Sequence, residues 1–179
     1  MNEDLPGIRA LLDFNPVTAD PLCALAETLL RTDDGLSRAE RELIAAYVSH
    51  LNDCYYCDHA HGEIVAFYMN GDRSVLEQVR EDFITADISP KLKTLLNIAS
   101  KVKAGGRFVT PADIEIAKEQ GATDKDIHDT VLIAAAFCMY NRYVDGLAAN
   151  TPFDLSSYPP RAKQIAETGY GAHLARPGL

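Results

Sequence analysis

The residues with the clearest chemical potential fall in one short stretch. In residues 52–62, NDCYYCDHAHG, Cys54 and Cys57 stand three positions apart, and His61 follows Cys57 by four. A thiol is mostly protonated at neutral pH, and its thiolate is the nucleophile and the metal ligand. Such a stretch can therefore clamp a metal, form a disulfide or present a reactive thiol. On a helix, residues four apart share a face, roughly 5–6 Å between Cβ atoms. His61 is then placed to accept the proton of Cys57. A helix N-terminus favours an anion through its free N–H groups and dipole, and both cysteines are expected in such a first turn. A second cysteine captures an oxidised sulfur as a disulfide before it oxidises further.

These residues need a scaffold, and the chain punctuation predicts one that is all-α. Ser37 with Glu40 forms a capping box before RELIAAYVSHL. Asn52 or Asp53 is expected to cap a helix over residues 54–69, closed near Gly71. The two helices are separated by two or three residues, so they should pack as an antiparallel hairpin. Equal steps from that turn meet, which brings Glu42 opposite His61. Glu42 can then orient His61 and hold the imidazolium that forms when it takes a proton.

Further helices are predicted from Asp20-Pro21, over SVLEQVRED, from Ser89-Pro90 to Gly105, from Thr110-Pro111 to Gly121, from Thr123 towards Ala149, and from Pro159 to near Gly169. No stretch alternates as a strand does. The expectation is a single domain of seven or eight helices, with its core over about residues 20–150. The proline-rich residues 151–160 should form an extended arm, followed by a short C-terminal helix.

Composition narrows the function classes. The 179 residues carry 17 Lys plus Arg against 26 Asp plus Glu, a formal charge of −9. An acidic chain without a basic run is a poor match for nucleic acid or an anionic membrane. The start, MNEDLPGIRALLDF, lacks a basic segment followed by an apolar one, so no signal peptide is expected. No apolar run reaches bilayer length. The expected compartment is the cytoplasm, where a C-x-x-C pair is more often redox-active or metal-binding than a structural disulfide.

The residues Glu42, Cys54, Cys57 and His61, spaced E-x11-C-x-x-C-x3-H within ERELIAAYVSHLNDCYYCDHAH (40–61), resemble the alkyl hydroperoxidase D-like (AhpD-like) group of the carboxymuconolactone decarboxylase superfamily. The run DIHDTVLIAAAFCMYNRYVDGLAA (126–149) resembles its peroxidase-related subgroup. The resemblance implies an all-α, homo-oligomeric thiol peroxidase, trimer or hexamer, acting on hydroperoxides. It implies that Cys57 attacks, that Cys54 resolves the product to a disulfide, and that Glu42 and His61 relay protons. It further implies no cofactor beyond the cysteine pair and an external dithiol reductant, in the known case a lipoyl-bearing carrier. The characterised member has a histidine immediately before its second cysteine; this chain has Tyr56 there. A phenol donates a hydrogen bond but is a poor base at pH 7.

Other readings stand beside this one. His50, Cys54, Cys57 and His61 are acceptable zinc ligands by type, but they straddle one turn, whereas structural zinc sites usually draw ligand pairs from separated segments. The superfamily's other chemistry, decarboxylation of a muconolactone-type acid, gives the cysteines no role. A thiol sensor or a helical assembly module would use the same residues without turnover. Cys23 and Cys138 are expected in the core. Asn141, Arg142 and Asp145 read as a polar network, and His59, two residues from both Cys57 and His61, as a surface side chain. Tyr56 fits either a relay neighbour or a pocket wall.

Overall fold

A computed structural model describes residues 4–171. Residues 1–3, part of the start read for a signal peptide, and 172–179, the end of the expected C-terminal segment, lie outside the described residues. Nine α-helices and two short 3-10 turns, with no strand, make up the described residues: α1 Ile8–Phe14, α2 Pro16–Arg31, α3 Arg38–Leu51, α4 Tyr55–Tyr68, α5 Ser74–Asp82, α6 Pro90–Ala104, α7 Pro111–Glu119, α8 Asp124–Gly146 and α9 Pro159–Thr168. The turns are Gly106–Phe108 and Leu155–Ser157.

Local chemistry accounts for most starts. Ser37 and Glu40, Thr110 and Asp113, and Thr123 and Asp126 each form a reciprocal capping box. Ser89 accepts from the Leu92 N–H, with Pro90 opening α6. Each such cap contributes about 1 kcal/mol by satisfying N–H groups that have no helical partner.

Four expectations change. Helix α1 was not foreseen. Helix α2 begins at Pro16 rather than after Asp20, because the Asn15 carbonyl already accepts from the Thr18 and Ala19 N–H groups. Pro21 is carried inside the helix, where it forfeits only a bond to the carbonyl of Val17, a residue 84% exposed. Neither Asn52 nor Asp53 caps α4. Cys54 holds that position, Asp53 takes a left-handed φ of 57°, and the Asn52 amide donates to Asn141 at 2.8 Å. Helix α8 stops at Gly146, short of Ala149.

Residues 151–160 are tied back to the body at Tyr158, although Phe153 stays 75% exposed. Tyr158 is buried, its hydroxyl donates to the Pro152 carbonyl at 2.7 Å, and α9 lies along α4.

The main core is built around α3, α6 and α8, with Leu43, Ile44, Leu95, Leu96, Ile98, Ile133 and Phe137 shut off from solvent. Burying a side chain of this size stabilises the fold by roughly 1.5–3 kcal/mol. The cysteine pair lies outside this core. A smaller cluster holds Cys54 and Cys57 with Leu11, Tyr56, Val144 and Tyr158, drawn from both ends of the chain.

Candidate functional site

Helices α3 and α4 pack as the antiparallel hairpin that their short link requires. Cys54 caps α4 and Cys57 sits three residues later, in its first turn. The two cysteines approach to 3.2 Å, both unbonded and both buried. Position at a helix start does not by itself make Cys57 acidic. Its thiol is pushed well above the ordinary value, first by its hydrogen bond to Cys54, then by burial and the proximity of the Cys54 charge. The Asn141 amide beside it works in the opposite direction. Cys57 therefore keeps its proton at rest, and a base must remove it. Asn141 is held for this contact by donating to Ser49 Oγ at 3.0 Å and accepting from Asn52.

An imidazole lies one helical turn further along α4. His61 Nδ1 is 2.8 Å from Glu42 Oε2, across the hairpin. A carboxylate only accepts, so Nδ1–H donates to Glu42, and the neutral imidazole keeps Nε2 as its basic atom. The Phe137 ring stands edge-on to the imidazole, with centroids 4.6 Å apart at 88°, and fixes its plane. Glu42 is only 1% exposed and would be costly to bury without partners.

Its second partner was not anticipated. The Tyr170 hydroxyl donates to Glu42 Oε1 at 2.6 Å and lies 3.3 Å from His61 Nδ1. Burial and the neighbouring Glu42 push the Tyr170 phenol well above its ordinary range, so it remains a donor. Tyr170 is delivered by the turn after α9. Gly169 adopts φ 91°, a Cβ there would run into the Glu27 carboxylate, and the Tyr170 N–H donates to Glu27 Oε2 at 2.7 Å. No periodicity marks a single tyrosine beyond a helix end. The Gly169-Tyr170 pair was the only local hint.

Cys57 and His61 open onto one cavity of about 120 Å³, walled mainly by apolar side chains from α1, α2, α4, α8 and α9. Helix α1 closes one side. Its cap Gly7 has φ 55° and presses on the Tyr56 ring, where any Cβ would collide.

The remaining candidates separate by placement. Tyr56 is a wall of this cavity, packed near Tyr158 with centroids 5.9 Å apart, and burial pushes its phenol up to about 12. It makes no hydrogen bond to His61 or Glu42; Tyr170 occupies that place. His50 turns away to Asp58 at 3.2 Å, and Asp58 also pairs with Arg80, so His50 does not join the cysteines as a zinc ligand. Among the described residues no three His, Cys, Asp or Glu side chains converge as a metal ion requires. His59 stacks on Tyr55 with centroids 4.0 Å apart and bonds its carbonyl. Cys23 is buried and lines the cavity, its thiol pushed up to about 11 by burial; Cys138 is half-buried. Among the described residues Arg142 bonds the Cys138 carbonyl of its own helix, while Asp145 adds a small upward push on Cys57. Among the described residues no helix is long and apolar enough to cross a membrane.

Comparison with known proteins converges with this geometry. The carboxymuconolactone decarboxylase family matches residues 16–66, a span that contains the whole hairpin from Glu42 to His61. No match was found among curated proteins. A solved structure of an alkylhydroperoxidase AhpD core, an uncharacterized peroxidase-related protein from Ralstonia eutropha, is similar at 32% identity with a TM-score of 0.76, over 84% of this chain and 79% of that one. An uncharacterized peroxidase-related protein from a Silicibacter species is similar at 28% identity with a TM-score of 0.76, over 86% of this chain and 78% of that one. With the hairpin inside the family match and the helical frame shared over most of both chains, this protein belongs to the AhpD-like group of the carboxymuconolactone decarboxylase superfamily.

Proposed function

We propose that the protein is a thiol peroxidase that reduces hydroperoxides. The observation that carries this reading is the convergence of Cys57, His61 and the buried Glu42 beside one cavity. His61 Nε2 takes the Cys57 proton, and Glu42 holds the imidazolium with Tyr170 anchoring its other oxygen. The thiolate attacks the terminal peroxide oxygen. The O–O bond breaks, the alcohol leaves with the proton from His61, and Cys57 becomes a sulfenic acid. The Cys54 thiol displaces water from that sulfur and closes a disulfide, and an external dithiol returns both cysteines to thiols. No other cofactor is invoked, and a lipoyl-bearing carrier is a fitting dithiol.

The description of the two similar structures as peroxidase-related supports this assignment. A cytoplasmic, reducing setting fits an exposed need for dithiol. Phe14, Val17 and Phe153, each at least 69% exposed, supply apolar surface for a homo-oligomer such as a trimer or hexamer.

The test is a thiol count before and after one equivalent of an organic hydroperoxide, with peptide mapping. Loss of two thiols at Cys54 and Cys57 is expected. Cys57→Ser should lower turnover with a dithiol donor by at least about 10³-fold, since a hydroxyl cannot replace the thiolate. Full turnover by that variant would sink the reading.

A further inference from the structure

Helix α9 ends on two side chains that belong to α2. A helix that ran on would bond the Tyr170 N–H to the Ala166 carbonyl, four residues back. Glu27 and Arg31 take the two halves of that bond instead. Glu27 Oε2 accepts from the Tyr170 N–H at 2.7 Å, and Arg31 Nη1 donates to the Ala166 carbonyl at 2.7 Å and to the Ile165 carbonyl at 2.8 Å. The last carbonyls of a helix lack partners within it, and a guanidinium suits them by hydrogen bond and by dipole. The two side chains are also joined to each other, Arg31 Nε donating to Glu27 Oε1 at 3.0 Å. A pair four residues apart on a helix surface contributes little by itself. This one also decides a path: with both halves of the bond engaged, the chain leaves the helix at Gly169, φ 91°.

The path matters at Tyr170. Its ring lies within 18° of parallel to the His61 imidazole, with centroids 6.1 Å apart, and its hydroxyl reaches the buried Glu42. Tyr170 is therefore held at both ends, by its N–H on Glu27 and by its hydroxyl on Glu42. Neither Glu27 nor Arg31 lines the cavity over Cys57. What they hold is the backbone on either side of Gly169.

We propose that Glu27 and Arg31 are positioning residues of the site. As a clasp they intercept one helical hydrogen bond at the end of α9, and so fix Tyr170 against Glu42 and, through Glu42, His61. Their effect on turnover rests on the peroxidase reading above; the clasp itself does not. A buried carboxylate depends on where its donors stand, so a shift of the Tyr170 backbone is felt at the imidazole that shares Glu42.

The experiment is a double-mutant cycle on the full chain. Oxidation of the thiol pair by one equivalent of an organic hydroperoxide is timed per folded molecule. Glu27→Ala is the main variant, because the Glu27 side chain is 45% exposed and its removal leaves the core closed. Its rate should fall by up to about tenfold, the loss expected of Tyr170→Phe. Added to Tyr170→Phe, it should cost no more than about twofold further. Arg31→Ala should follow the same pattern. Glu27→Gln, whose amide oxygen still accepts the Tyr170 N–H, should keep most of the rate. In parallel, hydrogen exchange reads the Tyr170 amide without any turnover. That amide should lose protection in Glu27→Ala and keep it in Glu27→Gln. An unchanged oxidation rate in Glu27→Ala, or a loss that adds in full to that of Tyr170→Phe, would overturn the inference, reduce the clasp to a helix cap and leave the peroxidase reading standing. Unaltered exchange at Tyr170 would overturn the clasp whether or not the chain consumes peroxide. Faster exchange in Glu27→Ala with no oxidation in the unaltered chain would uphold the clasp and overturn the peroxidase reading instead.

Discussion

Arg41 and Glu42 are neighbours on α3, and each is only 1% exposed, yet their side chains join different networks. Arg41 is saturated. Its guanidinium donates to the carbonyls of Leu36 at 2.9 Å, Leu29 at 2.9 Å and Asp34 at 2.6 Å, and to Asp129 Oδ2 at 2.7 Å. Asp129 in turn accepts from Lys125 at 2.9 Å and faces His128 at 3.0 Å. Arg41, Asp129 and Lys125 match one another's charge on the spot. Glu42 has two partners, His61 and Tyr170, and His61 opens onto a cavity beside a thiol. Burial alone therefore does not distinguish a strut from a site. The difference lies in whether the partners can exchange a proton with something that enters.

Three changes would break or sharpen that contrast. The largest effect is expected at the strut. Asp129→Ala leaves Arg41 buried beside an empty place and should cost about 3–5 kcal/mol in urea unfolding, with the rate of thiol oxidation per folded molecule preserved. The same residue sets an acid limit. Burial pushes the Asp129 carboxyl up, but hydrogen bonds from Lys125, His128 and Arg41 outweigh it and bring the value down to about 2. Because the folded value lies below the unfolded one of about 3.9, the group stabilises the fold at higher pH. That contribution is lost as pH falls from about 4 to about 2, so the acid limb of stability should flatten in the variant.

Glu42→Gln should do the reverse. The amide cannot hold an imidazolium, so peroxide-driven loss of the Cys57 thiol should slow by about 10²–10³-fold. Urea unfolding should move by less than the Asp129 change. A Glu42→Gln protein with unaltered oxidation rates would place Glu42 with Arg41 as a structural residue.

Tyr170→Phe is the mildest test. It removes one donor to Glu42 and keeps the ring, so the oxidation rate should fall by about tenfold or less. A purely packing role for Tyr170 would leave the oxidation rate unchanged.

Much of the scaffold was legible because its causes are local. A Ser37–Glu40 or Thr123–Asp126 box is complete within four residues, and the structure bonds each as the sequence implies. The hairpin was legible too, since a link of a few residues leaves two helices no choice but to pack side by side. Helix α1 was not. It spans only Ile8–Phe14, has no side-chain cap, and is held by packing on α2 and on the Tyr56 ring. The start of α2 was misplaced because Asn15-Pro16 and Asp20-Pro21 carry the same local signal, and only the Asn15 carbonyl bonds select the first.

By itself the sequence put Glu42 across the hairpin from His61 and Cys57 one turn before His61, since helical spacing and a short turn set all three positions. It also determined the helical frame, through caps that act over a single turn. Tertiary structure alone decided the rest. Tyr170 lies 128 residues from Glu42 in the chain and reaches it only because α9 folds back along α4. Arg9 and Arg161 come from opposite ends and share a cavity that neither helix contains alone. The proton on Cys57 was likewise settled by its surroundings: a helix start favours the thiolate, but the hydrogen bond to Cys54 and burial together outweigh it. Spacing specifies which side chains share a helix face, while only the packed chain sets the solvent, partners and charge around them.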